Sequence, residues 1–235
     1  MRDGTRGQEP RSQDREAGSD DGWTLVELLI SMTIFIGLLG IVFTILLNVS
    51  LQAKDNLART RSVSEAQLGL MQIDRQVRSG NVISDPSVET LASSGVEPYY
   101  SLRVYTQTDG VFQCVQWRVI FAPGADVGAL EYRSWRPDWT VVGGVRDWSV
   151  VARNVVRPAG TVIVDSDPST WPPFYVDPAS VAQANSAAQT IRVTLRLKDP
   201  EQRASSQPAS VTSVLTGRNT VFGYPADKCG VVPPP

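Results

Sequence analysis

The sequence predicts an α+β fold in which a long N-terminal α-helix precedes an antiparallel β-sheet domain. Residues 28–47 are apolar and carry no charge, and residues 48–79 continue without a proline. After Gly80 the pattern changes to short runs of alternating apolar and polar residues separated by turn-forming residues. A helical segment followed by a series of strands is typical of α+β domains, whereas parallel sheets alternate strands with helices.

Composition restricts the chemistry that the protein can perform. The chain has 235 residues, no histidine and a net charge of -2. Histidine-based acid–base catalysis is therefore excluded, and two distant cysteines cannot form a Cys/His zinc site. Asp165, Asp167 and Asp177 offer oxygen ligands for calcium, but their spacing lacks a full ligand set. We expect no enzymatic activity, no cofactor and no metal, and the chain has no overall basic excess for nucleic acid.

The first 48 residues predict a polar leader and a membrane-spanning helix. Residues 1–22 contain four arginines and six acidic residues and show no apolar periodicity, which predicts disorder. Residues 23–48 contain the uncharged run, whose twenty helical residues would extend about 30 Å, the hydrocarbon thickness of a bilayer. A cleaved secretory signal is the alternative, but the apolar run is too long and the preceding segment is acidic.

Residues 49–80 predict an amphipathic extension of the same helix. Apolar residues recur at spacings of three and four, so that they share one helix face: Val63, Ala66, Leu70, Ile73 and Val77. Gly80 suits the position just after the helix end. The apolar face either packs on the following domain or forms a coiled coil, and fewer than three heptads are present.

Residues 81–235 predict a β-rich globular domain. The predicted strands are 101–107, 111–120, 129–135, 140–142, 161–165, 191–199 and 210–222, and 145–156 is either strand or helix. In the second strand Val115 and Trp117 face one side, and Cys114 and Gln116 face the other. Residues 165–189 form a long proline-rich loop. Its aromatic residues, Trp171, Phe174 and Tyr175, either fold back onto the domain or present a partner-binding surface.

The residues at the start of the apolar run form a recognisable motif. Gly22-Trp23-Thr24-Leu25-Val26-Glu27, followed by the apolar run, resembles the prepilin processing signature of the type IV pilin and type II secretion pseudopilin superfamily. In that family the motif usually has Phe where this chain has Trp23. Family leaders usually carry Lys or Arg near the cut, whereas this chain has Asp20 and Asp21.

The resemblance implies a pilin-like fold and a role for each residue of the motif. Prepilin peptidase would cut after Gly22, and Trp23 would become an N-methylated N-terminus. Glu27 would pair with the N-terminal amine of a neighbouring subunit and set register, because a charge in a membrane span needs a partner. The implied partners are the peptidase, sibling subunits contacted through residues 23–79, and an inner-membrane assembly platform.

Further short segments are similar to minor pilins and J-type minor pseudopilins. LMQIDRQVRSGNVI (70–83) resembles the end of their first helix, and VLTGRNTVF (214–222) resembles their last strand. Many major pilins have a helix-bending proline where this chain has Thr44. The resemblance implies a single-pass inner-membrane protein with an extracytoplasmic C-terminal domain, at the cell surface or in the periplasm after assembly. There Cys114 and Cys229 either form a disulfide or remain as two buried thiols.

Three function classes follow. The first is a structural minor pilin or pseudopilin subunit at the tip or base of a type IV pilus or type II secretion pseudopilus. The second is a pilus-displayed adhesion or DNA-uptake module, for which a basic aromatic patch around Trp135, Arg136, Trp139 and Arg146 would favour DNA. The third is a lone bitopic membrane receptor, which needs no cleavage at Gly22.

Overall fold

The structure is a computed structural model that describes residues 22–160, 162–176 and 189–235. The chain divides into two compact units, residues 1–50 and residues 51–235. The predicted leader, apart from Gly22, lies outside the described residues, and so does Asp177. Helix α1 (Leu25–Arg78) contributes to both units, since its first half belongs to the first unit and its second half to the second.

The described part of the first unit is the apolar half of α1. By length and composition this helix can cross a membrane, and none of its apolar window is buried. The polar side chains within the window bond to carbonyls of their own helix. Ser31 donates to the Glu27 carbonyl at 2.8 Å, and Thr44 donates to the Gly40 carbonyl at 2.8 Å. Such internal bonding suits a segment in lipid, because hydrocarbon offers no other partner for a hydroxyl group.

In the second unit, the other half of α1 packs against the sheet along a stripe of mainly small residues. The buried positions are Ala58, Ser62, Ala66, Gly69, Ile73 and Val77. A Cβ atom built on Gly69 would stand 3.0 Å from the Leu130 Cδ2 atom, so the helix backbone lies close to the strands there. Packing on the following domain is thus confirmed, but Val63 and Leu70 of the predicted stripe are only half-buried.

In the part of the chain that the structure describes, eight strands form one antiparallel sheet. They are β1 (Gly80–Ile83), β2 (Ser101–Thr108), β3 (Val111–Phe121), β4 (Val127–Trp135), β5 (Ser149–Val156), β6 (Phe174–Tyr175), β7 (Thr190–Leu197) and β8 (Ala209–Thr216). Their order is β1-β2-β3-β4-β5-β7-β6, and β8 pairs with β7. Two short helices, α2 (Leu91–Ser94) and α3 (Trp139–Val142), lie in the connections. The α+β arrangement agrees with the sequence-based expectation.

The sheet carries a core on each face. The larger core lies against α1 and includes Trp117, Leu130, Phe174 and Leu195, all almost fully buried. The smaller core on the opposite face surrounds Cys114 and Cys229, with Trp135 beside them. The predicted alternation of β3 is confirmed, since Val115 and Trp117 belong to the larger core and Cys114 to the smaller.

Several local predictions were wrong. Residues 140–142 belong to helix α3, in which the Gly143 amide closes the turn onto the Trp139 carbonyl. Residues 162–165 contain no strand. Gly80 lies just after the helix end at Arg78, as predicted, and it also begins β1, where it pairs with Thr106. The last strand ends at Thr216, and residues 220–222 form a 3₁₀ turn.

The substitution Ala66→Leu is expected to destabilise the domain. Ala66 is fully buried, so added methyl groups must displace neighbouring core atoms, which costs about 1–3 kcal/mol. The matched control is Gln67→Leu, which adds a leucine to the adjacent exposed position. Thermal unfolding of the full chain in detergent should show a lower Tm for Ala66→Leu alone. Equal Tm values for both variants would contradict the close helix–sheet packing.

Candidate functional site

The motif resembling a prepilin signature lies at the N-terminal end of α1. The helix begins at Leu25, and the Thr24 hydroxyl accepts a hydrogen bond from the Glu27 amide at 3.3 Å. Threonine at this position satisfies one of the amides that a helix start leaves unpaired. Glu27 lies in the first turn, where a carboxylate interacts favourably with the positive end of the helix dipole.

The predicted processing residues are all accessible. Gly22 has no atom within 4 Å of the position that a Cβ would take, and Trp23 is 72% exposed. Glu27 is also exposed, and no basic group among residues 22–160, 162–176 and 189–235 forms an ion pair with it. The peptide bond between Gly22 and Trp23 is therefore open to an enzyme, and the Glu27 carboxylate is free to meet a group from outside this chain.

The two cysteines form the predicted disulfide, Cys114–Cys229, with a Cα–Cα distance of 5.8 Å. The C-terminal segment that carries Cys229 is also held by hydrogen bonds from the sheet face that Cys114 occupies. Arg103 Nη1 donates to the Cys229 carbonyl at 2.8 Å, and Arg133 Nη2 donates to the Pro233 carbonyl at 2.9 Å. Residues 229–234 thus cover the face of the sheet opposite α1.

Beneath this segment lies a buried polar layer. Glu89 is fully buried, and its Oε1 atom lies 2.7 Å from Arg103 Nη2. Arg118 and Glu131 form a second ion pair at 2.8 Å. Arg133 is 2% exposed, and its side chain bonds to the Gln116 side-chain oxygen at 2.8 and 3.0 Å as well as to main-chain carbonyls.

The arginines of the layer influence one another. Burial, together with the nearby charges of Arg118 and Arg103, lowers the pKa of Arg133 to about 10, and the carboxylate of Glu89 opposes this shift. Arg133 therefore stays protonated at neutral pH. Its charge is partly compensated by the Trp148 ring, whose centroid lies 4.3 Å from the guanidinium carbon, with Arg118 at 3.8 Å from the same centroid.

The polar contacts of the layer join different segments of the same chain. In the part of the chain that the structure describes, no group of three or more His, Cys, Asp or Glu residues is placed to hold a metal ion. Each charged side chain of the layer contacts a neighbouring side chain or carbonyl. We interpret the layer as the structural support that fixes the C-terminal segment and the α2 region on the sheet.

One of the four residues of the basic aromatic patch proposed for DNA, Trp135, is not at the surface. Trp135 is 2% exposed and packs beside the disulfide, so no base can stack on it. The Trp139 indole donates to the Val231 carbonyl at 3.1 Å, and Arg136 pairs with Asp138 at 3.2 Å. Trp135 cannot contribute to such a patch, because strand β4 turns its ring toward the second core.

The aromatic residues of the long proline-rich loop fold back onto the domain. Phe174 is fully buried in the larger core. The Arg192 guanidinium carbon lies 3.9 Å from the centroid of the Trp171 ring and 4.6 Å from that of Tyr175. Of the two alternatives for this loop, the structure supports packing on the domain, although residues 177–188 lie outside the described residues.

Sequence reasoning did not identify Glu89, Arg103 and Arg133 as a group. A signal was present in β3, where the face of Cys114 also carries Gln116 and Arg118. Polar residues next to a cysteine on a strand face indicated a covered polar surface. Their partners could not be named, because they come from β2, β4 and the segment before α2.

Comparison of the chain with protein-family models, curated protein sequences and solved structures finds no significant match in any of the three. The architecture by itself resembles a pilin fold, since a long N-terminal apolar helix is followed by an antiparallel sheet.

The ion pair within the buried layer gives a stability prediction. Glu89→Ala leaves Arg103 buried without its carboxylate, and removing one member of a buried pair costs about 3–5 kcal/mol. The control is Glu201→Ala, because Glu201 pairs with Arg61 at the surface, where such pairs contribute about 0–1 kcal/mol. Chemical denaturation should give a clearly lower free energy of unfolding for Glu89→Ala than for Glu201→Ala. Equal free energies of unfolding would contradict the role of the layer.

Loss of the disulfide gives a second prediction. The two cysteines are separated by 115 positions, and closing a loop of that size stabilises the fold by about 4–5 kcal/mol in the chain-entropy description. The double variant Cys114→Ser, Cys229→Ser should therefore unfold at a lower temperature. Adding a reductant should lower the Tm of the native chain and leave the Tm of the double variant unchanged. A native Tm that does not respond to reduction would contradict this prediction.

Proposed function

We propose that the protein is a structural minor pilin or pseudopilin subunit, which is processed by a prepilin peptidase and incorporated at the tip or base of a type IV pilus or type II secretion pseudopilus. One observation carries the proposal: an accessible Gly22–Trp23 bond directly precedes a continuous helix whose first half is apolar and exposed. A helix of this kind needs lipid before assembly and other subunits after it.

In this proposal Glu27 sets the register between subunits. Cleavage after Gly22 creates an ammonium group at Trp23, and the exposed Glu27 carboxylate lies one helical turn further along. The carboxylate of one subunit neutralises the terminal ammonium of its neighbour in an apolar surrounding. A pair of this kind selects one axial position, because any shift leaves both charges buried without a partner.

The second half of α1 also supports helix contacts between subunits. Apolar residues outside the buried stripe remain exposed on this half of the helix, including Leu57, Leu68 and Met71. Leu68 and Met71 line a groove of about 430 Å³ together with Trp117 and Tyr132 of the sheet. The side chains of Leu68 and Met71 are more than half exposed, and a sibling helix would cover them.

Analysis of the N-terminus by mass spectrometry tests the proposal directly. The full chain is produced in membranes together with a prepilin peptidase. We expect a mature chain that begins with N-methylated Trp23. A chain that retains residues 1–22 while a known prepilin is processed in the same membranes would overturn the proposal and favour a lone bitopic receptor. A cut elsewhere in the apolar segment would indicate a secretory signal.

The role of Glu27 is tested separately by Glu27→Ala. Cleavage should proceed normally, because the bond that is cut lies outside the helix. Incorporation into filaments should fall at least tenfold, since the neighbouring ammonium loses its partner. Ser31→Ala is the matched control, because Ser31 bonds only to its own helix one turn further along. Filament incorporation that is equal in both variants would exclude the pairing role while leaving the processing result intact.

A further inference from the structure

A cleft beside the start of β2 has the features of a binding site. It consists of two cavities, of about 160 Å³ and about 440 Å³, which share Glu97, Tyr100 and Arg157 in their walls. These three residues therefore lie where the two cavities meet. Ligand sites in proteins are typically concave and largely apolar, with a few polar groups that converge on one point. The cleft fits this description, and it lies wholly within the second unit.

The guanidinium group of Arg157 is available to a ligand. Its carbon atom lies 4.0 Å from the centroid of the Phe121 ring, so the group is stacked on an aromatic face. Stacking orients the plane of a guanidinium group and leaves the N–H groups at its edge for hydrogen bonds. Within the described parts of the chain, no carboxylate forms an ion pair with Arg157. The residue is exposed, so a group from outside this chain can reach it.

The Tyr100 hydroxyl lies next to this guanidinium group. Burial raises the pKa of Tyr100, the positive charge of Arg157 opposes that rise, and the carboxylate of Glu97 adds to it. The hydroxyl therefore keeps its proton at neutral pH and can donate it to an oxygen atom. The Tyr100 ring is held by an edge-to-face contact with Phe121, with ring centroids 6.1 Å apart. Two hydrogen-bond donors are thus fixed close together where the cavities meet.

One wall of the larger cavity has an unusual backbone conformation. Tyr99 has a φ angle of 67°, a left-handed conformation that is rare for a bulky residue. Two backbone hydrogen bonds hold it there. Its amide donates to the Pro86 carbonyl at 2.9 Å, and its carbonyl accepts from the Phe174 amide at 3.1 Å. Such conformations persist only where the surrounding structure imposes them, and they are common at ligand-binding sites.

We propose that this cleft binds an extended peptide segment of a partner protein, and that an acidic side chain of the segment pairs with Arg157 and Tyr100. The edge of a guanidinium group donates two parallel hydrogen bonds to a carboxylate, and the tyrosine hydroxyl donates a third. The Glu97 carboxylate accepts a hydrogen bond from a backbone amide of the same segment. The smaller cavity, which Val96 and Ile120 line, receives an apolar side chain.

The walls of the larger cavity favour a peptide over a sugar. Pro98, Pro158 and Pro172 form much of this wall, and their rings carry no hydrogen-bonding group. The Thr170 hydroxyl is already engaged, since it donates to the Asp167 carbonyl at 2.8 Å. A sugar needs partners for several hydroxyl groups, because each buried hydroxyl without a partner weakens binding. Extended proline-containing peptides, in contrast, bind in grooves lined by aromatic rings.

Calorimetric titration of the full, uncleaved chain in detergent micelles tests the proposal. The probe is the acetylated and amidated peptide Leu-Pro-Glu-Pro-Leu, and the matched probe has glutamine in place of glutamate. We expect the glutamate peptide to bind at least tenfold more tightly, because it alone offers a carboxylate to Arg157. Oligogalacturonate is titrated in parallel as an acidic saccharide. Equal affinities for the two peptides, no binding of either, or binding of the saccharide alone would overturn the proposal.

Variants of the cleft separate this contact from general effects of charge. Arg157→Gln should lower the affinity for the glutamate peptide at least tenfold. The matched control is Arg153→Gln, which removes the same charge from an exposed position of strand β5 and should leave the affinity unchanged. Tyr100→Phe removes only the hydroxyl, should lower the affinity about threefold, and carries the test if Arg157→Gln fails to fold. Equal affinities of the Arg157 and Arg153 variants would overturn the proposal without affecting the proposed processing at Gly22.

Discussion

The close approach of helix α1 to the sheet is the constraint on which the rest of the second unit depends. The buried stripe that makes the contact includes Ala58, Ala66 and Gly69, and a Cβ atom on Gly69 would stand 3.0 Å from Leu130, so small residues let the helix backbone lie against the strands. Large side chains from the sheet, including Trp117 and Phe174, fill the remaining space. Because interiors are packed to crystal-like density, this arrangement fixes one position of the helix on the sheet.

The opposite face of the sheet is stabilised by different interactions. There the disulfide and the buried ion pairs fasten the C-terminal segment and the α2 region onto strands β2 to β4. Arg133 is central to this layer, since it reaches both Gln116 and the carbonyls of Pro233 and Pro234. Buried polar networks tolerate few alternatives, because each lost contact leaves a desolvated group unpaired. The sheet is thus covered by apolar packing on one face, and by the disulfide, ion pairs and hydrogen bonds on the other.

Among the described residues, these two coverings leave three parts exposed: the apolar half of α1, its apolar side chains further along, and the edge of β8. The first two agree with a subunit whose helix enters lipid and then packs with other helices.

The sequence by itself determined the elements with strong periodicity. The uncharged run of residues 28–47, the helix that continues to Arg78 and the alternating strands β2, β3 and β7 could all be predicted, because local residue pattern dictates them. With only two cysteines, one disulfide pairing was possible. Short elements such as α3 and β6 were missed, since neighbouring parts of the fold decide them. Only the tertiary structure buried Trp135, assembled the layer around Arg133 and left β8 as an open edge. Each of these outcomes depends on which distant segments lie side by side, and no local pattern encodes that information.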